Sequence, residues 1–324
     1  MREGMDEKEY ELIIVGGGPA GLTAGLYAGR TELRAVLLER GMPGGQLLNT
    51  ELIDDYPGLE NVGGMELAER MTNHARKFGL DIATETVTRI EKLEDGDFRV
   101  NTEGGNAYRA PAVILTAGGT PNKLQVAGEE EFAGKGVSYC AICDGAFFKG
   151  ETIAVVGGGD AATEEGDFLT RYAEKVYMIH RRDAFRAQKV LQDRVFANPK
   201  IEVVWNTVVE EILGDAMGVK GLRLRNVTTG EENVLDVTGV FIFIGFRPNT
   251  TLVAGHVDHD PAGYLLTDRD MRTSVPGLFV AGDVRSQLTR QITTAVGDAT
   301  TATLAAERYI KETRERREAG AAAG

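Results

Sequence analysis

The sequence predicts an α/β protein of two domains, each built on a βαβ unit, with the second domain inserted in the first. Three observations carry that prediction. Residues 11–40 and 151–182 repeat one pattern: an apolar run, a glycine turn, a helical segment and a second apolar run. At 324 residues the chain exceeds what one hydrophobic core usually organises. Two further apolar runs, one before the second repeat and one well after it, lead into glycines, as a strand leaving a domain and its return would.

In the first repeat, Leu12-Ile13-Ile14-Val15 runs into Gly16-Gly17-Gly18-Pro19-Ala20-Gly21, and after a helical segment Ala35-Val36-Leu37-Leu38 closes at Glu39. A buried strand before the turn, a helix after it and a second strand ending about 20 residues on make up the Rossmann-like dinucleotide fingerprint. The glycines let the backbone approach a pyrophosphate, and the helix N-terminus offers unpaired N–H groups and a positive dipole end. Glu39 can accept hydrogen bonds from free ribose hydroxyls but would repel a 2′-phosphate. The first site therefore suits FAD or NAD.

In the second repeat, Ile153-Ala154-Val155-Val156 runs into Gly157-Gly158-Gly159-Asp160-Ala161-Ala162, and Val176-Tyr177-Met178-Ile179 closes on His180-Arg181-Arg182, with Arg186 following. There is no carboxylate at the strand end until Asp183. Arginines present planar, multidentate donors matched to phosphate oxygens, so this site suits NADPH.

The strand leaving the first domain is read in Ala112-Val113-Ile114-Leu115, which exits through Thr116-Ala117-Gly118-Gly119, and its return in residues 240–244 before Gly245. This divides the chain into a discontinuous dinucleotide-binding domain of residues 1–117 and 246–324, and an NADPH-binding domain of residues 118–245. Leu278-Phe279-Val280-Ala281 followed by Gly282-Asp283 reads as a strand ending in a carboxylate suited to a polyol such as ribityl. From Lys311 onward the chain turns charged and then Ala/Gly-rich, and no function is read into it.

A net charge of -13 argues against a nucleic-acid partner, which needs a basic face. The apolar runs are far shorter than a bilayer-spanning helix, and residues 1–11 lack the apolar stretch of a secretory signal, so a cytoplasmic protein is expected.

The two cysteines stand at C-x-x-C spacing in Ser138-Tyr139-Cys140-Ala141-Ile142-Cys143-Asp144-Gly145. A zinc site would need two more ligands, yet there is no third Cys and the four His are scattered, so no metal is expected. Buried structural thiols are a second reading. The third, a reversible redox disulfide, is favoured because Asp144 beside the pair offers a proton to a leaving thiolate.

Together with Gly44-Gly45-Gln46, Tyr56-Pro57-Gly58, Asp183-Ala184-Phe185-Arg186, Gly282-Asp283-Val284 and Arg290-Gln291, these blocks resemble the low-molecular-weight thioredoxin reductases of bacteria, archaea and plants over nearly the whole chain. The resemblance implies a two-dinucleotide-binding flavoprotein that passes electrons from NADPH through FAD to the Cys140/Cys143 disulfide and on to thioredoxin. It implies that Cys143 takes electrons from flavin, that Cys140 attacks the partner disulfide and that Asp144 is the general acid. Gly16, Gly18, Pro19, Ala20, Gly21, Glu39, Gly45, Gln46, Gly282, Asp283, Arg290, Gln291 and Ile292 would hold FAD. Gly157, Gly159, Asp160, Ala161, His180, Arg181, Arg182 and Arg186 would hold NADPH. It further implies a homodimer, and a rotation of the inserted domain about glycines 118, 119 and 245. Three departures from the resemblance are Asp55 in place of an Asn, Thr116-Ala117-Gly118 in place of Ala-Thr-Gly, and Gly166-Asp167 within a helix that is ordinarily more apolar.

Overall fold

A computed structural model describes residues 7–323 apart from 51, 52, 54 and 254. The first six residues of the polar N-terminal segment lie outside the described residues. The described residues form six α-helices: α1 Pro19–Arg30, α2 Gly64–Lys77, α3 Ala141–Asp144, α4 Asp160–Leu169, α5 Lys189–Ala197 and α6 Ile292–Ala323. The chain divides into two compact units. One takes in residues up to 48, 56–120 and from 248 onward, and the other residues 49–55 and 121–247.

The first unit is built on a five-stranded parallel sheet in the order Leu278–Val280, Ala112–Leu115, Leu12–Val15, Ala35–Glu39, Asp81–Thr84. Its central strand is apolar at every position because both of its faces are buried. Leu12 and Ile14 point to the side of α1 and α6, where they pack with Leu22, Ala24, Ala299 and Ala302. Ile13 and Val15 point the other way, onto Phe98, Val100 and Tyr108 of a four-stranded sheet. The Ala-rich tail read without function continues α6 to Ala323, and alanine is the best helix former. Arg314 pairs with Glu11, and Arg317 with Asp97 at 2.5 Å, tying this end of the helix down.

The second unit repeats the plan, with a five-stranded parallel sheet in the order Val137–Ser138, Gly239–Phe243, Thr152–Gly157, Lys175–Ile179, Ile201–Val204. Ile153 and Val155 face Ala162 and Leu169 of α4, whereas Ala154 and Val156 face Ile212, Leu222 and Leu224 of a three-stranded antiparallel sheet. Helix α4 runs through Gly166 without interruption. An added Cβ at Gly166 would stand 3.2 Å from the Met178 sulfur, so the small residue lets the helix lie close to its strand. Asp167 accepts a hydrogen bond from Asn198 Nδ2 at 2.8 Å.

Candidate active site

Helix α1 begins with a proline, whose fixed φ suits the first helical position, after Gly18 in extended backbone; no side chain caps its first N–H groups. Those donors point at the space a ligand would use. The glycines of this turn meet three separate steric demands. Gly16 has φ +109°, and an added Cβ would lie 2.5 Å from Thr116 O; at Gly21 it would lie 1.8 Å from Gly16 O; at Gly18 nothing comes closer than 3.9 Å. So Gly16 and Gly21 allow the strand, turn and helix to close, while Gly18 leaves open space. Thr116, one of the departures, has its own task. Its hydroxyl donates to Val15 O at 3.0 Å and Gly16 O at 2.8 Å, holding the turn against the neighbouring strand.

Glu39 reaches the same turn. Its Oε2 accepts the Gly17 N–H at 2.6 Å and its Oε1 the Gly41 N–H at 3.2 Å. Gly44 N–H donates to Gly17 O at 2.8 Å, bringing Gly45 opposite Gly18, and Gln46 Nε2 donates to Gly119 O at 2.9 Å. Gly282, in left-handed backbone at φ +78°, abuts Ala20, so Asp283 stands beside the start of α1. Burial pushes the Asp283 carboxyl up to about 6, against the pull of Arg290 and with a further push from Asp298. The Arg290 guanidinium lies 3.9 Å above the Tyr264 ring, and its Nε is buried without a partner. Gln291 and Ile292 lead into α6, with the Gln291 N–H held by Thr294 Oγ1 at 3.0 Å.

This cradle fits a flavin dinucleotide on its own geometry, with an open glycine turn, an uncapped helix N-terminus and a buried donor awaiting an acceptor. Its support includes a pair that sequence reasoning missed. Asp298, 8% exposed, accepts from Arg285 through both carboxylate oxygens and from the Gly282 N–H at 3.2 Å, which fixes the loop that carries Asp283. No spacing signal marks that pair, since it joins a loop to the second turn of a helix.

In the second unit α4 likewise starts after an extended glycine, Gly159, with no side-chain cap, and a Cβ at Gly159 would meet nothing within 4 Å. Arg181, Arg182 and Arg186 are exposed and pair with no carboxylate among the described residues. His180 is placed differently from these arginines. It is 6% exposed, packs against Phe185 and Trp205, and occupies the space a Gly158 side chain would need. Burial pushes its pKa down, which favours the neutral ring.

Cys140 and Cys143 form a disulfide, with Cys140 as the N-cap of α3 and Asp144 as the last residue of that helix. Ser138 organises the group. Its hydroxyl accepts the Cys140 N–H at 3.1 Å and donates to Asp144 Oδ2 at 2.5 Å. Burial raises the Asp144 pKa, the Ser138 hydrogen bond opposes that rise, and the charge of Asp55 adds to it. The departure at Asp55 therefore bears on the acid beside the disulfide. No cluster of potential metal ligands occurs among the described residues.

Two glycine-turn sheets and a disulfide beside a buried acid define a two-dinucleotide-binding disulfide oxidoreductase. A family model described as pyridine nucleotide-disulphide oxidoreductase matches residues 10–299, and the chain belongs to that family, among its thioredoxin reductases. The thioredoxin reductase of Listeria monocytogenes is 47% identical over 318 residues, covering 98% of this chain and 99% of the relative. That of Bacillus subtilis is 44% identical over 310 residues, covering 96% and 98%. The crystal structure of the thioredoxin reductase from Streptococcus pyogenes matches with a TM-score of 0.90 at 45% identity, covering 94% of this chain and 99% of that one.

Proposed function

We propose that the chain transfers two electrons from NADPH, by way of FAD held in the first unit, to the Cys140–Cys143 disulfide and from there to a thioredoxin disulfide. The observation that carries this reading is the disulfide at the start of α3 with the buried Asp144 at the other end of the same turn. Bound FAD supplies the relay between a hydride donor and a disulfide, because it takes up two electrons together.

The protein residues do the rest. An electron pair delivered at Cys143 breaks the S–S bond and leaves two sulfurs to share the protons available. The Cys140 thiolate attacks the partner disulfide, forming a mixed disulfide and expelling a partner thiolate, and the Asp144 carboxyl gives that thiolate its proton. The Cys143 thiolate then attacks Cys140 Sγ, which restores the internal disulfide and expels the second partner sulfur as a thiolate that takes its proton from water, freeing the reduced partner. The glycine turn of α1, Glu39, Gln46, Asp283, Arg290, Gln291 and Ile292 hold FAD, and Arg181, Arg182 and Arg186 with the turn of α4 hold NADPH. Ser138 positions Asp144. The net charge of -13 supports a protein partner over nucleic acid, and no helix among the described residues is long and apolar enough to cross a membrane. A cytoplasmic homodimer completes the reading, and light scattering at micromolar concentration tests the dimer.

The deciding experiment follows NADPH absorbance with a bacterial thioredoxin as acceptor. Steady turnover is expected in the wild type, and its loss in Cys143→Ser. Full turnover in that variant would refute the electron route.

A further inference from the structure

Asp160 is the first residue of α4, directly after the glycine turn that the proposed function assigns to the coenzyme, yet its carboxylate is already engaged by another part of the chain. Gln188 donates to it twice, from its backbone N–H to Oδ1 at 2.7 Å and from Nε2 to Oδ2 at 3.2 Å. Next to this contact, the Arg186 N–H donates to Gly158 O at 2.7 Å. These three bonds join the glycine turn, residues 157–160, to the loop that presents the arginines.

The other end of that loop is also tied down. His180 N–H donates to Val204 O at 2.9 Å, and Arg182 O accepts the Asn206 N–H at 3.1 Å. Phe185 and Ala187 are buried beneath it, each 7% exposed. What remains on the outside is the set of unpaired guanidinium groups on Arg181, Arg182 and Arg186. A carboxylate bonded through both oxygens gives a charge-assisted tie, and its charge at a helix N-terminus is favourable to the helix dipole.

We propose that Asp160 and Gln188 form a latch that sets the coenzyme's 2′-phosphate preference by holding the arginine loop at a fixed distance from the pyrophosphate turn. The inference rests on the reading that Arg181, Arg182 and Arg186 receive a 2′-phosphate. Asp160 and Gln188 are positioning residues, and a released loop leaves the arginines in place as charges while losing their preset geometry. Ordering them then falls to the ligand, which weakens only ligands that carry the 2′-phosphate.

The test uses the oxidised holoenzyme and two probes, 2′,5′-ADP and 5′-AMP, titrated by calorimetry. In Asp160→Ala, which removes both bonds, the ratio of the two affinities is expected to fall about five- to tenfold, and in Gln188→Ala, which keeps the backbone N–H bond, about threefold, the value of one lost hydrogen bond. Asp160→Asn keeps an acceptor for the Gln188 N–H and restores most of the ratio. The KM ratio of NADPH to NADH rises in step. An unchanged ratio in both alanine variants, or an equal loss for the two probes, overturns the latch. Arg181→Ala separates the premise from the inference, because wild-type binding of 2′,5′-ADP there overturns the 2′-phosphate reading itself. A fall in Arg181→Ala without one in Asp160→Ala, which removes both bonds to Gln188, overturns the latch alone.

Discussion

At the scale of single residues, the acid beside the disulfide shows how a few contacts set a chemical property. Burial and the charge of Asp55 favour the protonated Asp144, while the Ser138 hydroxyl, donating at 2.5 Å, favours the carboxylate. Removing the hydroxyl in Ser138→Ala should therefore raise the Asp144 pKa and move the alkaline limb of the kcat/KM profile up by about one unit or less. Asp55→Asn should move it down, and pH-rate profiles with thioredoxin check both directions. Asp283 gives a second pH effect. Its carboxyl is held at about 6 against an ordinary 3.8, so the folded state keeps a proton that the unfolded state has released. Stability contributed by this group is present below about pH 4 and is lost as pH rises to about 6. Asp283→Asn should flatten the dependence of Tm on pH across that window, which thermal melts at pH 4.5, 5.5 and 7 measure. The cysteines, Asp144 and Asp283 were legible in the sequence because each lies in a contiguous motif. Ser138, Asp298 and Gln188 acquire their partners through turns and crossings that residue spacing does not encode.

Among the elements, the two strand-turn-helix units were the most legible part of the chain, since four apolar residues running into glycines leave few other structures open. Their glycines are needed for closure as well as for a ligand. Gly21→Ala would put a Cβ 1.8 Å from the Gly16 carbonyl, within the backbone, where no side-chain adjustment relieves the overlap. A loss of about 2–4 kcal/mol is expected, together with weaker flavin retention, as an overpacked core site produces. Denaturant unfolding and flavin fluorescence after gel filtration read the two effects. Gly159→Ala, by contrast, adds a methyl to open space and should leave stability nearly unchanged. Residues 311–323 were less legible. Composition gave no reason to assign them a helix docked on the domain, and the ion pairs of Arg314 and Arg317 with acids more than 200 residues earlier provide one.

For the whole molecule, each unit carries its own buried clusters, on the two faces of its parallel sheet. Damage to one should therefore be felt mainly there. Phe241, 0% exposed and in edge contact with Phe148, lies in the second unit, and Phe241→Ala should cost about 3–5 kcal/mol. Calorimetry is expected to show an early transition in which flavin stays bound, followed by a later one in which it is released. Simultaneous release would mean that the units unfold as one. By itself the sequence determined the class of fold, the two nucleotide turns with their opposite charge at the strand end, and the redox pair, because these depend on periodicity and on contiguous residues. Only the tertiary structure decided that His180 is buried against Phe185 and Trp205, that Asp160 is engaged by Gln188, and that Ser138 holds Asp144. Each of those outcomes depends on which chain segments meet in space, and a hydrogen bond forms only where donor and acceptor are brought within about 3 Å of each other.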